Sequence, residues 1–166
     1  MDGFAHLHVA SGFSMRYGAS RPEDLVERAA AHGQGALALT DRDGLYGAVR
    51  FATACGRPGS APVLGVDLAV EASPGESASG TTSDAVRPPP RPRTPVRGGA
   101  IVDPRRPRVT VLARGQVAGV APGTGWAALC RLVTQTHLRG ERGVPVTTPD
   151  LIARWSGDSG EDPGDG

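Results

Sequence analysis

The sequence predicts an α/β fold, because apolar runs of strand length alternate with amphipathic helices. Apolar runs at Ala36–Thr40 and Pro62–Val70 each follow a segment whose apolar residues recur at helical spacing. Strands that alternate with helices favour parallel pairing, since a parallel connection needs a crossover element. Aromatic residues make up only 4% of the chain. The core is therefore expected to consist mainly of Leu, Val and Ala.

The first half of the chain has start and stop signals for each predicted element. Phe4–Val9 is a predicted strand. Ser20-Arg-Pro-Glu23 is a predicted capping box, and the helix that follows it ends at Gly33. Asp41–Gly44 is predicted to be a turn that leads into a second helix at Tyr46–Cys55.

Residues 72–107 interrupt this alternation and are rich in Pro, Gly, Ser, Thr and Arg. They show no apolar period, so they bury too little surface to offset chain entropy, and we predict a disordered insertion. The charge of residues 87–108 would suit contact with nucleic acid, although a solvated insertion within one domain is the simpler interpretation. The basic residues of that range are Arg87, Arg91, Arg93, Arg97, Arg105, Arg106 and Arg108.

The second half of the chain returns to alternating elements. Arg108–Ala113 is a predicted fourth strand and Trp126–Leu138 a predicted helix. Thr148 caps a last short helix that ends near Trp155. The predicted organisation is one domain in two parts, 1–71 and 108–156, separated by the insertion 72–107 and followed by a disordered acidic tail, 157–166.

The chain has no pattern of a membrane or secreted protein. No window approaches the ~18 apolar residues that a membrane span needs. The N-terminus lacks the basic start and apolar stretch of a signal peptide. We expect a cytoplasmic protein without a membrane partner.

The first predicted strand carries two histidines in the pattern His6-Leu-His8. Residues two apart on a strand face the same side, so both imidazoles can reach one cation. The C-terminal strand ends of a parallel barrel carry its chemistry, and these histidines lie near such an end. The pattern alone is weak, and two strand histidines satisfied by hydrogen bonds without a metal are the simpler interpretation.

Carboxylates accompany the next two predicted strands. Asp41 and Asp43 follow Ala36–Thr40, where they either bind a metal or bond the backbone of a polar turn. Asp67 lies between apolar residues of the following strand, so it is either buried with a partner or faces solvent at an edge. We expect His6, Asp41 and Asp67 to meet at the ends of neighbouring parallel strands.

Three stretches in this order resemble the opening motifs of the polymerase-and-histidinol-phosphatase (PHP) domain family. The likeness is to the PHP domain at the start of the α subunit of bacterial DNA polymerase III. The stretches are His6–Ser14 (HLHVASGFS), Leu37–Gly47 (LALTDRDGLYG) and Pro62–Asp67 (PVLGVD).

Later segments extend the resemblance to about residues 3–71 and 108–155. Val109–Arg114 and Gly125–Val133 resemble the strand and helix that follow in that polymerase family. Thr136–Gly143 (THLRGERG) resembles the error-prone branch found in actinobacteria.

The resemblance implies an incomplete PHP-type (β/α) barrel of about four parallel strands with helices. It assigns His6, His8, Asp41 and Asp67 to the family's metal site, whose divalent ion would be Zn, Mn or Mg. Asp43 is a further pocket candidate.

Three residues depart from the family's metal-binding pattern. Tyr17 stands where an Asp is usual, and Arg42 stands where a His is usual, while Asp67 replaces the more usual Glu. A guanidinium cannot bind a cation, although it can pair with Asp41 or Asp67 in the cation's place. We therefore expect a degraded site, with no metal bound. His32 and His137 are expected to cap helix C-termini instead of serving as ligands.

The resemblance implies a scaffold role within an error-prone DNA polymerase that acts in replication and translesion repair. Polymerisation requires palm-domain carboxylates that hold two Mg²⁺ ions, and this sequence offers none. The expected partners are the remainder of the polymerase polypeptide and, through it, DNA. The alternative is a metal-dependent phosphoesterase, either a 3′–5′ exonuclease or an enzyme of histidinol-phosphatase type.

Overall fold

The computed structural model describes residues 4–56, 61–71, 106–115, 121–140 and 142–156. The described residues form three strands and four helices. In chain order these are α1 Pro22–Ala31, β1 Ala36–Arg42, α2 Ala48–Cys55, β2 Ala61–Ala69, β3 Arg108–Leu112, α3 Thr124–Arg139 and α4 Pro149–Ser156.

The three strands form a mixed sheet in the order β1-β2-β3. β1 and β2 are parallel, and β3 is antiparallel to β2. The prediction of about four parallel strands is therefore wrong for β3. α2 supplies the crossover that a parallel pair needs, whereas the sequence between β2 and β3 shows no helical apolar period. An antiparallel return needs no such crossover.

The first predicted strand is reduced to an isolated parallel bridge between His6 and Leu37. The Ala38 N–H donates to the His6 carbonyl at 2.9 Å, and the Thr40 N–H donates to the Val9 carbonyl at 2.8 Å. The Val9 N–H donates at 2.9 Å to the Thr40 hydroxyl. Because a side chain takes this donor, the ladder beside β1 stays incomplete.

The helices begin and end close to the predicted positions. α1 begins one residue later than the predicted capping box implies, since its N-cap is Arg21. The Arg21 N–H donates to the Asp24 carboxylate at 3.3 Å, and Glu23 instead pairs with Arg50 of α2 at 2.7 Å. His32 is the C-cap residue of α1, as predicted.

The core lies on one side of the sheet, which we call the helix face. Leu37 and Leu39 of β1 pack there against α1 and α2, and Val66 and Leu68 of β2 pack against α3. Strand side chains alternate between the two sides of a sheet. The other side, which we call the polar face, therefore carries Thr40, Arg42, Asp67, Arg108 and Thr110.

The predicted insertion at 72–107 and tail at 157–166 lie outside the described residues, apart from Arg106 and Pro107. The Pro107 carbonyl accepts a hydrogen bond from the Val70 N–H at 2.9 Å, and β3 begins at Arg108, as predicted. None of the helices in the described part of the chain is long and apolar enough to cross a membrane.

Candidate functional site

Asp41 lies on the helix face, where it is 1% exposed. Its Oδ1 accepts hydrogen bonds from the Ser11 N–H and the Ser14 hydroxyl, both at 2.8 Å. The Ser11 hydroxyl lies 2.8 and 2.9 Å from the two carboxylate oxygens. These neutral donors supply the partners that a buried carboxylate requires.

The Asp41 carboxylate is tightly packed as well as hydrogen-bonded. A Cβ added at Gly47, the N-cap of α2, would lie 2.5 Å from Asp41 Oδ2. The Ser14 hydroxyl also accepts the Arg42 N–H at 2.9 Å, which ties the loop after residue 11 to the end of β1. Asp41 is therefore bonded to this loop and packed against the start of α2.

Asp67 lies on the polar face and is neutralised by a guanidinium. Arg108 Nε donates to Asp67 Oδ2 at 2.8 Å, and Arg108 Nη2 donates to the Asp67 carbonyl at 2.7 Å. The same Nη2 donates to Asp43 Oδ1 at 2.8 Å. Burial alone would lower the pKa of Arg108, but the hydrogen bonds and charges of Asp43 and Asp67 outweigh it and hold this pKa above its usual value.

Asp43 connects the turn after β1 to both neighbouring elements. It adopts a φ of 55°, a conformation that Asp tolerates better than most residues. Its N–H donates to the Asp67 carbonyl at 2.8 Å, and its own carbonyl lies 2.6 Å from His137 Nε2. A carbonyl can only accept, so Nε2 carries the proton in this contact. His137 lies in the last turn of α3, near a helix C-terminus as predicted, and its side chain also binds this turn.

Arg42 and Tyr17 form a stacked pair beside these carboxylates. The Arg42 guanidinium carbon lies 3.9 Å from the centre of the Tyr17 ring, within the range of a cation–π contact. Arg42 Nε is 3.9 Å from Asp43 Oδ2. The guanidinium that binds the Asp67 carboxylate at 2.8 Å is that of Arg108.

The two histidines of the first predicted strand have different surroundings. His8 Nδ1 lies 2.6 Å from the Thr110 hydroxyl, and Thr110 is the register partner of Asp67. The His6 ring instead packs edge-on against Phe4, with 4.7 Å between ring centres. His8 therefore lies at the polar face, whereas the ring contact of His6 is with an exposed aromatic residue.

Comparison with known proteins places these residues in a family. The PHP domain profile matches residues 6–158. The chain belongs to the PHP domain family.

The similar curated proteins are much longer than this PHP domain. It is 38% identical over 155 residues to an error-prone DNA polymerase of Mycobacterium bovis, a match that covers 93% of this chain and 12% of that protein. It is 38% identical over 173 residues to an error-prone DNA polymerase of Nocardia farcinica, covering 93% of this chain and 14% of that one. A solved amidohydrolase from Chromobacterium violaceum, with bound sulfate and no metal, has 36% identity, a TM-score of 0.39 and coverage of 42% of this chain and 24% of that chain.

The polar residues of this PHP domain do not fit a divalent metal ion. The register pairs Arg42 with Asp67 and Asp41 with Val66, so Asp41 and Asp67 project from opposite faces of the sheet. The prediction that His6, Asp41 and Asp67 meet at one place is therefore wrong. Within the described ranges, no three His, Cys, Asp or Glu side chains are grouped so that they could hold a metal. The carboxylates of Asp67 and Asp43 already neutralise Arg108.

Sequence reasoning missed the residues that complete both carboxylate environments of the PHP domain. Ser11 and Ser14 lie inside the first family motif, and their spacing of three is the only signal of a shared acceptor. The sequence places Arg108 at the start of a strand and in the basic range 87–108, but not with Asp67, because its contacts depend on the antiparallel register of β3. Thr110 and His137 likewise become visible only when β3 and α3 are placed beside β2.

Proposed function

We propose that this chain is the N-terminal PHP portion of an error-prone DNA polymerase, in which it supports the polymerase fold and does not itself hydrolyse phosphoesters. The remainder of the polypeptide would be its partner, in the cytoplasm, and would provide the contact with DNA and the polymerase active site. The names and lengths of the similar polymerases support the first part of the proposal. The ion pairs of Arg108 with Asp67 and Asp43 support the second part, the absence of phosphoester hydrolysis.

The contact of Arg108 with two carboxylates is the observation that carries the scaffold role. Metal-assisted phosphoester hydrolysis requires a cation that activates water and stabilises charge on the phosphoryl oxygens. Here the two carboxylates on the polar side hold a guanidinium at 2.8 Å each. A guanidinium has no lone pair for a metal and cannot generate hydroxide from water.

The geometry of this cluster explains a structural role. Arg108 stands at the start of β3, Asp67 in β2 and Asp43 in the turn after β1, so one side chain joins three segments. His137 adds α3 to the same turn. A domain that must present a fixed surface to a larger protein gains from such a contact, because the loop ends of its sheet cannot move independently.

The test is an assay of the purified chain for metal content and hydrolysis. Elemental analysis and equilibrium dialysis with Mn²⁺, Zn²⁺ and Mg²⁺ should show no stoichiometric metal. Release of nucleotides from the 3′ end of single-stranded DNA, and hydrolysis of a phosphomonoester, should equal the rates in protein-free buffer with each metal. Metal-dependent hydrolysis that is lost in D67A would instead support a working phosphoesterase. Hydrolysis that persists in D67A would identify a contaminating nuclease.

A further inference from the structure

A second polar feature lies just beyond the C-terminal end of β2 and the start of β3, in a cavity of about 280 Å³. It is lined by Glu71, Arg106, Arg139, Gly140, Val144 and Val146. Arg108, Asp67 and Asp43 are not among these residues, although Arg106 and Arg139 lie two residues from Arg108 and His137. Arg139 and Gly140 belong to the Thr136–Gly143 stretch, but the scaffold role gives no function to any of the lining residues.

The walls of this cavity are fixed by backbone hydrogen bonds. The Thr147 N–H donates to the Ala69 carbonyl at 2.8 Å, and the Glu71 N–H donates to the Thr147 carbonyl at 3.0 Å. On the other side of the same strand, the Val70 N–H donates to the Pro107 carbonyl at 2.9 Å. Three segments distant in sequence are therefore held together where Glu71, Arg106 and Val146 line the cavity.

The charge of the lining side chains is positive overall, with two arginines and one glutamate. Arg139 Nη2 lies 3.2 Å from Glu71 Oε1, and Arg139 Nη1 lies 3.2 Å from the Thr148 hydroxyl. Both charged side chains of this pair are about half exposed, at 45% and 51%. An exposed ion pair of this kind contributes little, so a stronger anion can replace Glu71 as the partner of Arg139.

Arg106 brings a second guanidinium to the same cavity. It is exposed, and it is one of the arginines in the basic range 87–108. Two guanidinium groups around a polar, concave volume match the bidentate geometry of phosphate oxygens. A divalent cation would be repelled by this pair, and an apolar ligand would leave both charges unpaired.

We propose that this cavity binds the phosphodiester backbone of a single-stranded nucleic acid, with Arg106 and Arg139 as phosphate ligands. Positively charged grooves that follow the backbone are the usual means of binding single strands without sequence preference. A flexible strand can place one phosphate inside a cavity of about 280 Å³. Glu71 then acts as an internal competitor, which the phosphate displaces from Arg139.

The experiment measures binding of a fluorescently labelled single-stranded oligonucleotide to the full chain by anisotropy over a series of salt concentrations. Each phosphate contact with a single strand contributes about 0.7 to the slope of log K against log salt. Because the cavity holds one phosphate, the double variant R106A/R139A should lose about 0.7 from that slope, and at low ionic strength it should bind about tenfold more weakly. E71Q should bind more tightly than the unmodified chain, because the competing charge is gone.

The matched control is R21A/R28A, which removes the same charge from two exposed residues, the N-cap of α1 and a residue within that helix. Circular dichroism melts of all variants establish that each is folded. If R106A/R139A and R21A/R28A change affinity and slope equally, binding is a general effect of charge and the cavity proposal is wrong. A second arm adds inorganic phosphate as competitor. Phosphate binding that depends on Arg106 and Arg139, without oligonucleotide binding, would assign the cavity to a free oxyanion and overturn the nucleic-acid proposal.

Discussion

Asp41 and Asp67 are both buried carboxylates on neighbouring strands, yet the protein satisfies them in different ways. Asp41 is bound by neutral donors of a nearby loop, Ser11 and Ser14, on the helix face. Asp67 is bound by the charged side chain of Arg108, 41 residues away in sequence, on the polar face. The register offsets the two by one position, since Asp41 pairs with Val66. A shift of one residue on a strand therefore decides which face, and which kind of partner, a carboxylate meets.

The largest expected effect is that of removing the Asp41 carboxylate. D41A leaves the Ser11 N–H and two hydroxyl groups buried without their acceptor, at a site that is 1% exposed in the native protein. We expect a loss of about 3–5 kcal/mol in the free energy of unfolding, because each unsatisfied buried donor costs about 1–3 kcal/mol. Urea denaturation followed by circular dichroism measures it.

S14A is the graded companion of D41A. It removes one of the donors and retains the carboxylate, so it should cost about 1–2 kcal/mol. Equal losses in the two variants would show that Asp41 is not the centre of this hydrogen-bond group.

R108A should have the second largest effect. It leaves Asp67 and Asp43 without their cation, and the side chain of Asp67 is only 11% exposed. We expect a loss of about 2–4 kcal/mol, because breaking a partly buried ion pair leaves an uncompensated charge. R108K should recover only part of this loss, since an ammonium lacks the planar fork that reaches Asp67 and Asp43 together.

R50A is the control for R108A, because it also breaks an arginine–carboxylate pair. The Arg50 and Glu23 side chains are 53% and 39% exposed, so their pair should contribute at most about 1 kcal/mol. A loss in R50A as large as that in R108A would mean that burial does not distinguish the two pairs.

Removal of the Tyr17 ring should have a smaller effect on the polar face. Y17A loses the stack with Arg42, whose guanidinium carbon is 3.9 Å from the ring centre. A partly exposed cation–π contact contributes about 0.5–1 kcal/mol, and Y17F should retain most of it. Denaturation midpoints of the two variants provide the comparison, and a Y17F loss equal to that of Y17A would assign the effect to the hydroxyl.

The smallest expected effect is a loss of stability at alkaline pH, caused by the buried Cys55 thiol on the helix face. Burial raises the pKa of the Cys55 thiol above its usual value. The unfolded chain then loses the thiol proton at lower pH than the folded protein, so this contribution to stability is present below about pH 8.5 and declines as the pH rises further. C55A should show a shallower decline in melting temperature above that pH. An unchanged profile in C55A would exclude this thiol as the cause.

The sequence predicted the elements of this PHP domain better than their arrangement. The periodicity of apolar residues identified β1, both flanking helices and β2, because each buries one side in the core. The direction of β3 was missed, since strand direction is set by the connection and by pairing and leaves no trace within Arg108–Leu112. The segment with His6 reads as a strand by pattern, but the Thr40 hydroxyl interrupts its ladder.

The candidate site was predicted only in part for the same reason. Asp67 was expected to be buried with a partner or exposed at an edge, and its 8% exposure and contact with Arg108 show the former. An arginine in the place of a cation was also expected, but Arg42 was named because it follows Asp41 in the motif. Short-range motifs identify residues that share a strand end, whereas Arg108 reaches Asp67 through tertiary pairing.

The most direct test of whether Arg108 is the cation of the polar face is to unfold the wild-type chain under two conditions. One sample contains a chelator, and the other contains saturating Mn²⁺ or Zn²⁺. A bound metal stabilises the folded state by an amount that grows with the logarithm of its concentration. With Asp67 and Asp43 already paired to Arg108, we predict the same free energy of unfolding in EDTA and in either metal. A saturable stabilisation by metal that is lost in D67A would contradict this role, because it would show that a metal ion and not the guanidinium neutralises Asp67.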